Sequence, residues 1–145
     1  MVGLLLPDMN NLALSTNGTK VVMASSTDEK YPPENIIDGK SDTFWTTTGM
    51  YPQCFVVAFP STSSVDSVII SCYNVKEIRL EKSTSNEPVE FEKVGQKELT
   101  ASSGALQKDT IHSESFEAKY LRFVITSGYD HFCAVYKIQV SGTLY

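Results

Sequence analysis

Hydrophobic and polar residues alternate with a period of two along most of this chain, and no stretch carries the 3.6-residue spacing of a long amphipathic helix. The alternation is clearest at Val75-Lys76-Glu77-Ile78-Arg79-Leu80-Glu81. There Ile78 and Leu80 point one way and Glu77, Arg79 and Glu81 the other, as in a half-buried strand. Tyr120-Leu121-Arg122-Phe123-Val124-Ile125 sets Leu121, Phe123 and Ile125 on one face, and Tyr136, Ile138 and Val140 repeat the pattern near the end; these six are the predicted core. The run 65–70 is more continuously apolar, as a central strand covered on both sides would be. The pattern predicts strands at 20–25, 53–59, 67–73, 77–82, 89–93, 105–112, 119–126 and 136–142, with polar connections such as 83–88 and 100–104 between them. Such a set makes an all-β, single-domain antiparallel sandwich or jelly roll, which limits exposed strand edges by folding back on itself.

A length of 145 residues suits one domain, expected at 11–145 behind a flexible N-terminal segment at 1–10. The net charge of -5, with 12 Lys and Arg scattered along the chain, offers no electrostatic footprint for nucleic acid or anionic lipid. No apolar run approaches the roughly 20 residues that span a bilayer, so membrane insertion is not expected. The opening Met1-Val2-Gly3-Leu4-Leu5-Leu6-Pro7 lacks a basic flank and runs into Asp8, and is not read as a signal peptide. Cys54, Cys72 and Cys133 form an odd set without a CxxC pair, which fits buried thiols in the cytosol better than a disulfide framework. The glycosylation sequon Asn17-Gly18-Thr19 matters only in a secreted chain.

The densest chemistry lies between Tyr31 and Trp45. Pro32 and Pro33 fix the backbone on entry, Gly39 permits a conformation closed to residues with a Cβ, and Asn35, Asp38, Ser41, Asp42 and Thr43 supply oxygens. A loop of this kind can hold a hard cation such as calcium, which takes six to eight oxygen ligands. On spacing alone the commoner arrangement is a hydrogen-bonded turn followed by a core tryptophan, since the acidic repeat of an EF-hand is missing.

Asn35-Ile36-Ile37-Asp38-Gly39 followed by Thr43-Phe44-Trp45, Lys119-Tyr120-Leu121-Arg122-Phe123 and the closing strand at 136–142 resemble the coagulation factor 5/8 C-terminal, or discoidin, jelly roll over nearly the whole chain. A narrower resemblance, to a family of intraflagellar transport subunits, rests on four segments in order and spacing. These are Ser26-Thr27-Asp28-Glu29-Lys30-Tyr31 running into the loop, Phe44-Trp45-Thr46-Thr47-Thr48-Gly49-Met50-Tyr51-Pro52-Gln53, Leu80-Glu81-Lys82-Ser83-Thr84-Ser85 and Asp130-His131-Phe132. The narrower resemblance implies a non-catalytic subunit of the intraflagellar transport B complex, in cytoplasm and cilium. It further implies pairing with a Rab-like small GTPase subunit, intraflagellar transport protein 27, and support of ciliary export of signalling proteins, including Hedgehog components.

The wider resemblance also implies a calcium site. Carried over residue by residue, Asn35 and Lys40 would give backbone carbonyls, Asp38 its carboxylate, and Thr43 hydroxyl and carbonyl, with a carbonyl and a carboxylate from the last strand at Val140 and Ser141. Ser141 departs from the pattern, because a neutral hydroxyl replaces the second carboxylate. The expectation is a weak structural calcium pinning 35–43 against the last strand; the alternative is a calcium-free loop closed by hydrogen bonds of Asp38 and Thr43.

Catalytic chemistry is sparse. His112 lies in a predicted strand, and His131 follows Asp130 in a pair better read as a staple between strands than as a base. No zinc spacing and no Gly-rich phosphate loop occur, so any nucleotide belongs to a partner. Three other readings remain: a sugar- or lipid-binding discoidin module, a small chaperone, and a substrate-recruiting jelly roll like that of the anaphase-promoting complex. The chain lacks cysteines near its ends and a basic C-terminal tail, features common in the first and last of these. An interaction subunit would present apolar surface beyond the needs of its core, and Met50, Tyr51, Tyr73 and Tyr129 are the candidates for it.

Overall fold

The computed structural model describes residues 11–102, 104–112 and 114–144, so the expected flexible segment 1–10 lies outside the described residues. Among the described residues eight strands form: β1 Lys20–Ala24, β2 Trp45–Thr46, β3 Gln53–Tyr73, β4 Val75–Ser83, β5 Glu92–Glu98, β6 Gln107–His112, β7 Phe116–Gly128 and β8 Ala134–Leu144. All pairings between them are antiparallel. The all-β sandwich expected from the alternation is the fold observed.

The long strand β3 organises the two layers. Its first half lies between β1 and β7, with Phe55 opposite Phe123 and Val57 opposite Leu121; beyond β7 come β4 and β5. Its second half lies between β8 and β6, with Ile70 opposite both Ile138 and Asp109, and β2 pairs the far edge of β8. The alternation predicts two strands here, 53–59 and 67–73, and the residues between them begin with the polar run Pro60-Ser61-Thr62-Ser63-Ser64. The polar run is instead the crossover, marked by a register shift against β7 between Ala58 and Ser63. Bulges and bends of this kind let one strand serve two packed sheets.

Inward residues from both halves meet in one core that includes Trp45, Phe55, Val57, Phe59, Val68, Ile70, Ile78, Leu80, Leu121, Phe123, Ile125, Ile138 and Val140. Five of the six predicted core residues are buried; Tyr136 is only half-buried. A register shift on β8 opposite Ser71 and Cys72 turns Tyr136 out of the alternation and puts Val135 inside. The run 65–70 is central in pairing, but Asp66 is exposed, so the two-sided cover inferred from its apolar character does not hold throughout.

The strand expected at 89–93 forms later, at β5. Glu90 adopts a left-handed backbone (φ 58°), which ends the extended run, and β5 is an edge strand with no fully buried residue. Ahead of β1, Asn11 is buried and bonded throughout: its amide donates to the Ile138 carbonyl at 3.1 Å, and its Oδ1 accepts the backbone N–H groups of Ala13 at 3.0 Å and Val140 at 2.9 Å.

Candidate functional site

The loop that precedes Trp45 is built as its residues suggest. Pro33 opens a short 3-10 turn, Pro33–Ile37, whose Ile36 and Ile37 are buried and anchor it to the core. The chain then reverses through Gly39, held at φ 78°, a conformation that strains any residue with a Cβ. Asp38 Oδ1 accepts the Lys40 N–H at 2.9 Å, an Asx turn, and Asp38 Oδ2 accepts the Thr43 hydroxyl at 2.6 Å. The Asn35 side chain donates to the Phe44 carbonyl at 3.0 Å. Phe44 stacks on Tyr31 with ring centroids 4.5 Å apart and meets Tyr136 at 4.9 Å, so the outer face of the loop is an aromatic brace.

The last strand reaches this loop through a residue the sequence reading did not single out. Lys137 Nζ donates to the Asn35 carbonyl at 2.8 Å, to Asp38 Oδ1 at 2.8 Å and to Thr43 Oγ1 at 3.2 Å. The Lys40 carbonyl lies 3.5 Å from the same threonine oxygen. Asn35, Asp38, Lys40 and Thr43 are therefore brought together, the first, second and fourth of them on an ammonium group. Val140 and Ser141 are not part of the cluster. The Val140 carbonyl accepts the Leu12 N–H at 2.8 Å, and Ser141 is exposed opposite Ser67. Lys137, Gln139 and Ser141 share the outward row of β8, and it is the first of them that faces the loop. The signal was present as an outward lysine on the closing strand, but only the three-dimensional register shows what it faces.

Burial alone would raise the Asp38 pKa; hydrogen bonds from Lys137, Thr43 and the Lys40 N–H, together with the Lys137 charge, reverse this and hold it below the ordinary carboxylate value. Tested against calcium, the donor set does not fit. The ammonium lies within hydrogen-bond distance of three of the loop oxygens a metal would need, and neither last-strand candidate faces them. Among the described residues, no group of three or more His, Cys, Asp or Glu side chains is gathered as a metal site.

The thiols are shielded by packing. Cys72 and Cys133 are buried and Cys54 half-buried, all as free thiols. Burial pushes each thiol up, Cys72 to about 12, while the Thr47 and Tyr51 hydrogen bonds at Cys133 only partly counter it. The thiolate is the reactive form, so these side chains are poor nucleophiles at neutral pH. A thiol reagent at neutral pH should label native protein slowly at Cys54 and scarcely at Cys72 or Cys133, with all three reacting fully in denaturant. Rapid native labelling of Cys72 would contradict the packing. His112 sets its ring edge-on to Phe116 at 5.1 Å, and Asp130 accepts the backbone N–H of His131 at 2.7 Å.

Two further features were not legible beforehand. Glu81, assigned to the solvent side of β4 by alternation, is buried because Arg79 at 2.8 Å and Arg122 both bond it, and Arg122 in turn lies over the Phe91 ring at 4.2 Å. Hydrogen bonds also draw together the loops carrying Met50, Tyr51 and Tyr129. Tyr51 Oη donates to the Asp130 carbonyl at 3.0 Å, the Tyr129 N–H to Asn74 at 2.9 Å, and Tyr129 Oη to Leu99 at 2.6 Å. Met50 is 87% exposed at this end, with Tyr129 and Phe132 partly so.

Fold and loop together define a discoidin-type β-sandwich. A family model described as the F5/8 type C domain matches residues 21–138. A family 32 carbohydrate-binding module from NanJ of C. perfringens, solved with galactose, superposes with a TM-score of 0.74 over 90% of this chain and 97% of its own, at 16% identity, a likeness of fold alone. The intraflagellar transport protein 25 homolog of Homo sapiens is 46% identical over 92% of this chain and 93% of its own length. Intraflagellar transport protein 25 of Chlamydomonas reinhardtii is 41% identical over 92% of this chain and 70% of its own. The chain belongs to the F5/8 type C domain family and, within it, to the intraflagellar transport protein 25 family.

Proposed function

We propose that this protein is a non-catalytic subunit of the intraflagellar transport B complex, working in cytoplasm and cilium as one half of a heterodimer with a Rab-like small GTPase subunit. In that role it supports ciliary export of signalling proteins, Hedgehog components among them. The observation that carries the reading is identity of 41–46% across 92% of the chain to relatives named for intraflagellar transport in a mammal and in an alga. The chemistry agrees with a binding role: the thiols are held protonated, and the loop carboxylate of Asp38 is committed to Lys137 and Thr43. An exposed Met50 next to Tyr51, whose hydroxyl reaches the loop of Tyr129, also suits a partner-facing protein, since interface centres favour methionine and aromatic residues.

Affinity purification of the tagged chain from ciliated cells, quantified by mass spectrometry, is expected to return the Rab-like subunit and other B-complex subunits in comparable amounts. The sugar- or lipid-binding alternative is tested on the same preparation by glycan array and liposome flotation. A reproducible hit there, with no transport subunits recovered, would overturn the proposal.

A further inference from the structure

The loop that the family resemblance would fill with calcium carries its own cation. We propose that the Lys137 ammonium is the resident cation of the 35–43 loop, tying it to β8 with all three of its protons and closing it without a divalent metal. An ammonium has three donors and no acceptor, and here it meets three oxygens from three residues: the Asn35 carbonyl, Asp38 Oδ1 and Thr43 Oγ1. The pair with Asp38 is well covered, the two side chains being 17% and 24% exposed, so solvent screens it less than a surface ion pair. The proton inventory closes as well, because the Thr43 hydroxyl that accepts from Lys137 donates its own proton to Asp38 Oδ2 at 2.6 Å.

Calcium would have to sit about 2.3–2.6 Å from these same oxygens. It would then overlap the ammonium and be repelled by it. The remaining ligands of a calcium shell are also missing, since the Val140 carbonyl is taken by the Leu12 N–H and Ser141 brings no negative charge. A tethered monocation balances the single carboxylate of Asp38, whereas a divalent ion would leave the site with excess positive charge. The loop geometry is thus fixed at any calcium concentration, and the surface it carries does not depend on a calcium signal.

The test uses the full chain and reads thermal melting with either millimolar calcium or excess chelator. Wild-type protein is expected to melt at the same temperature in both, and titration with calcium chloride to release no binding heat. Lys137→Met, which keeps the length and removes the charge, should melt roughly 3–6 °C lower, with no response to calcium. Lys137→Ala should melt lower still in chelator and recover part of the loss in calcium, because it frees the three oxygens. A calcium-dependent rise in the melting temperature of the wild-type protein would overturn the proposal without reference to any variant. So would wild-type melting of both Lys137→Met and Lys137→Ala in chelator.

Discussion

Replacing Trp45 by alanine should lower the stability of the fold by about 3–5 kcal/mol, the usual cost of deleting a large buried aromatic side chain. Trp45 is the only tryptophan, is fully buried, and stands edge-on to Phe55 at 5.4 Å, which stacks in turn on Phe123 at 4.8 Å. Its indole N–H donates to the Ser26 carbonyl at 3.0 Å, and its backbone pairs Val135 on β8. The residue therefore joins the end of the loop, the segment after β1 and the last strand. In a chain of this size each kcal/mol shifts the melting temperature by about 2–4 °C, so a fall of about 6–20 °C by circular dichroism is expected. Trp45→Phe should recover part of it, having volume but no donor for Ser26. Equal melting of Trp45→Ala and wild-type protein would mean that the loop and core are not coupled as described.

Gly142→Ala should be the most damaging single-methyl change on β8. A Cβ at Gly142 would lie 1.9 Å from the Ser64 carbonyl oxygen, where β3 makes its crossover and Val65 pairs Gly142. The clashing atom is backbone, so no side-chain rotation relieves it, and one of the two strands must shift. Overpacking of this kind costs about 1–3 kcal/mol and sometimes more. Gly104 supplies the control for added bulk, since nothing lies within 4 Å of a Cβ there. Its φ of 72° nonetheless leaves a smaller backbone cost in Gly104→Ala. Denaturant unfolding should place Gly142→Ala well below Gly104→Ala; the reverse order would contradict the packing at the crossover.

The alternation at Val75 to Leu80 is readable because that stretch has one wet face and one dry face, and in Leu121 to Ile125 the inward residues still keep period two although Val124 on the outer side is buried as well. β5 was misplaced because an edge strand with little burial carries no such contrast. β3 was split because its crossover is polar, and a polar run reads as a loop whether or not its backbone stays extended. Glu81 was placed on the wet side by parity alone; its burial comes from two arginines, one of them 41 positions away. The candidate loop was legible from its turn chemistry down to the Asp38–Thr43 hydrogen bond. Its cation was not, because Lys137 lies 94 residues beyond Thr43 and only the register of β8 aligns them.

The proposed transport heterodimer is open to direct test. Its most direct test is co-expression with the Rab-like transport subunit and size-exclusion chromatography at low micromolar concentration, run with calcium and with chelator. The account predicts a single equimolar peak at the same position in both buffers. Separate elution of the two chains would contradict the heterodimer, and a peak that dissociates only in chelator would contradict a loop closed by Lys137.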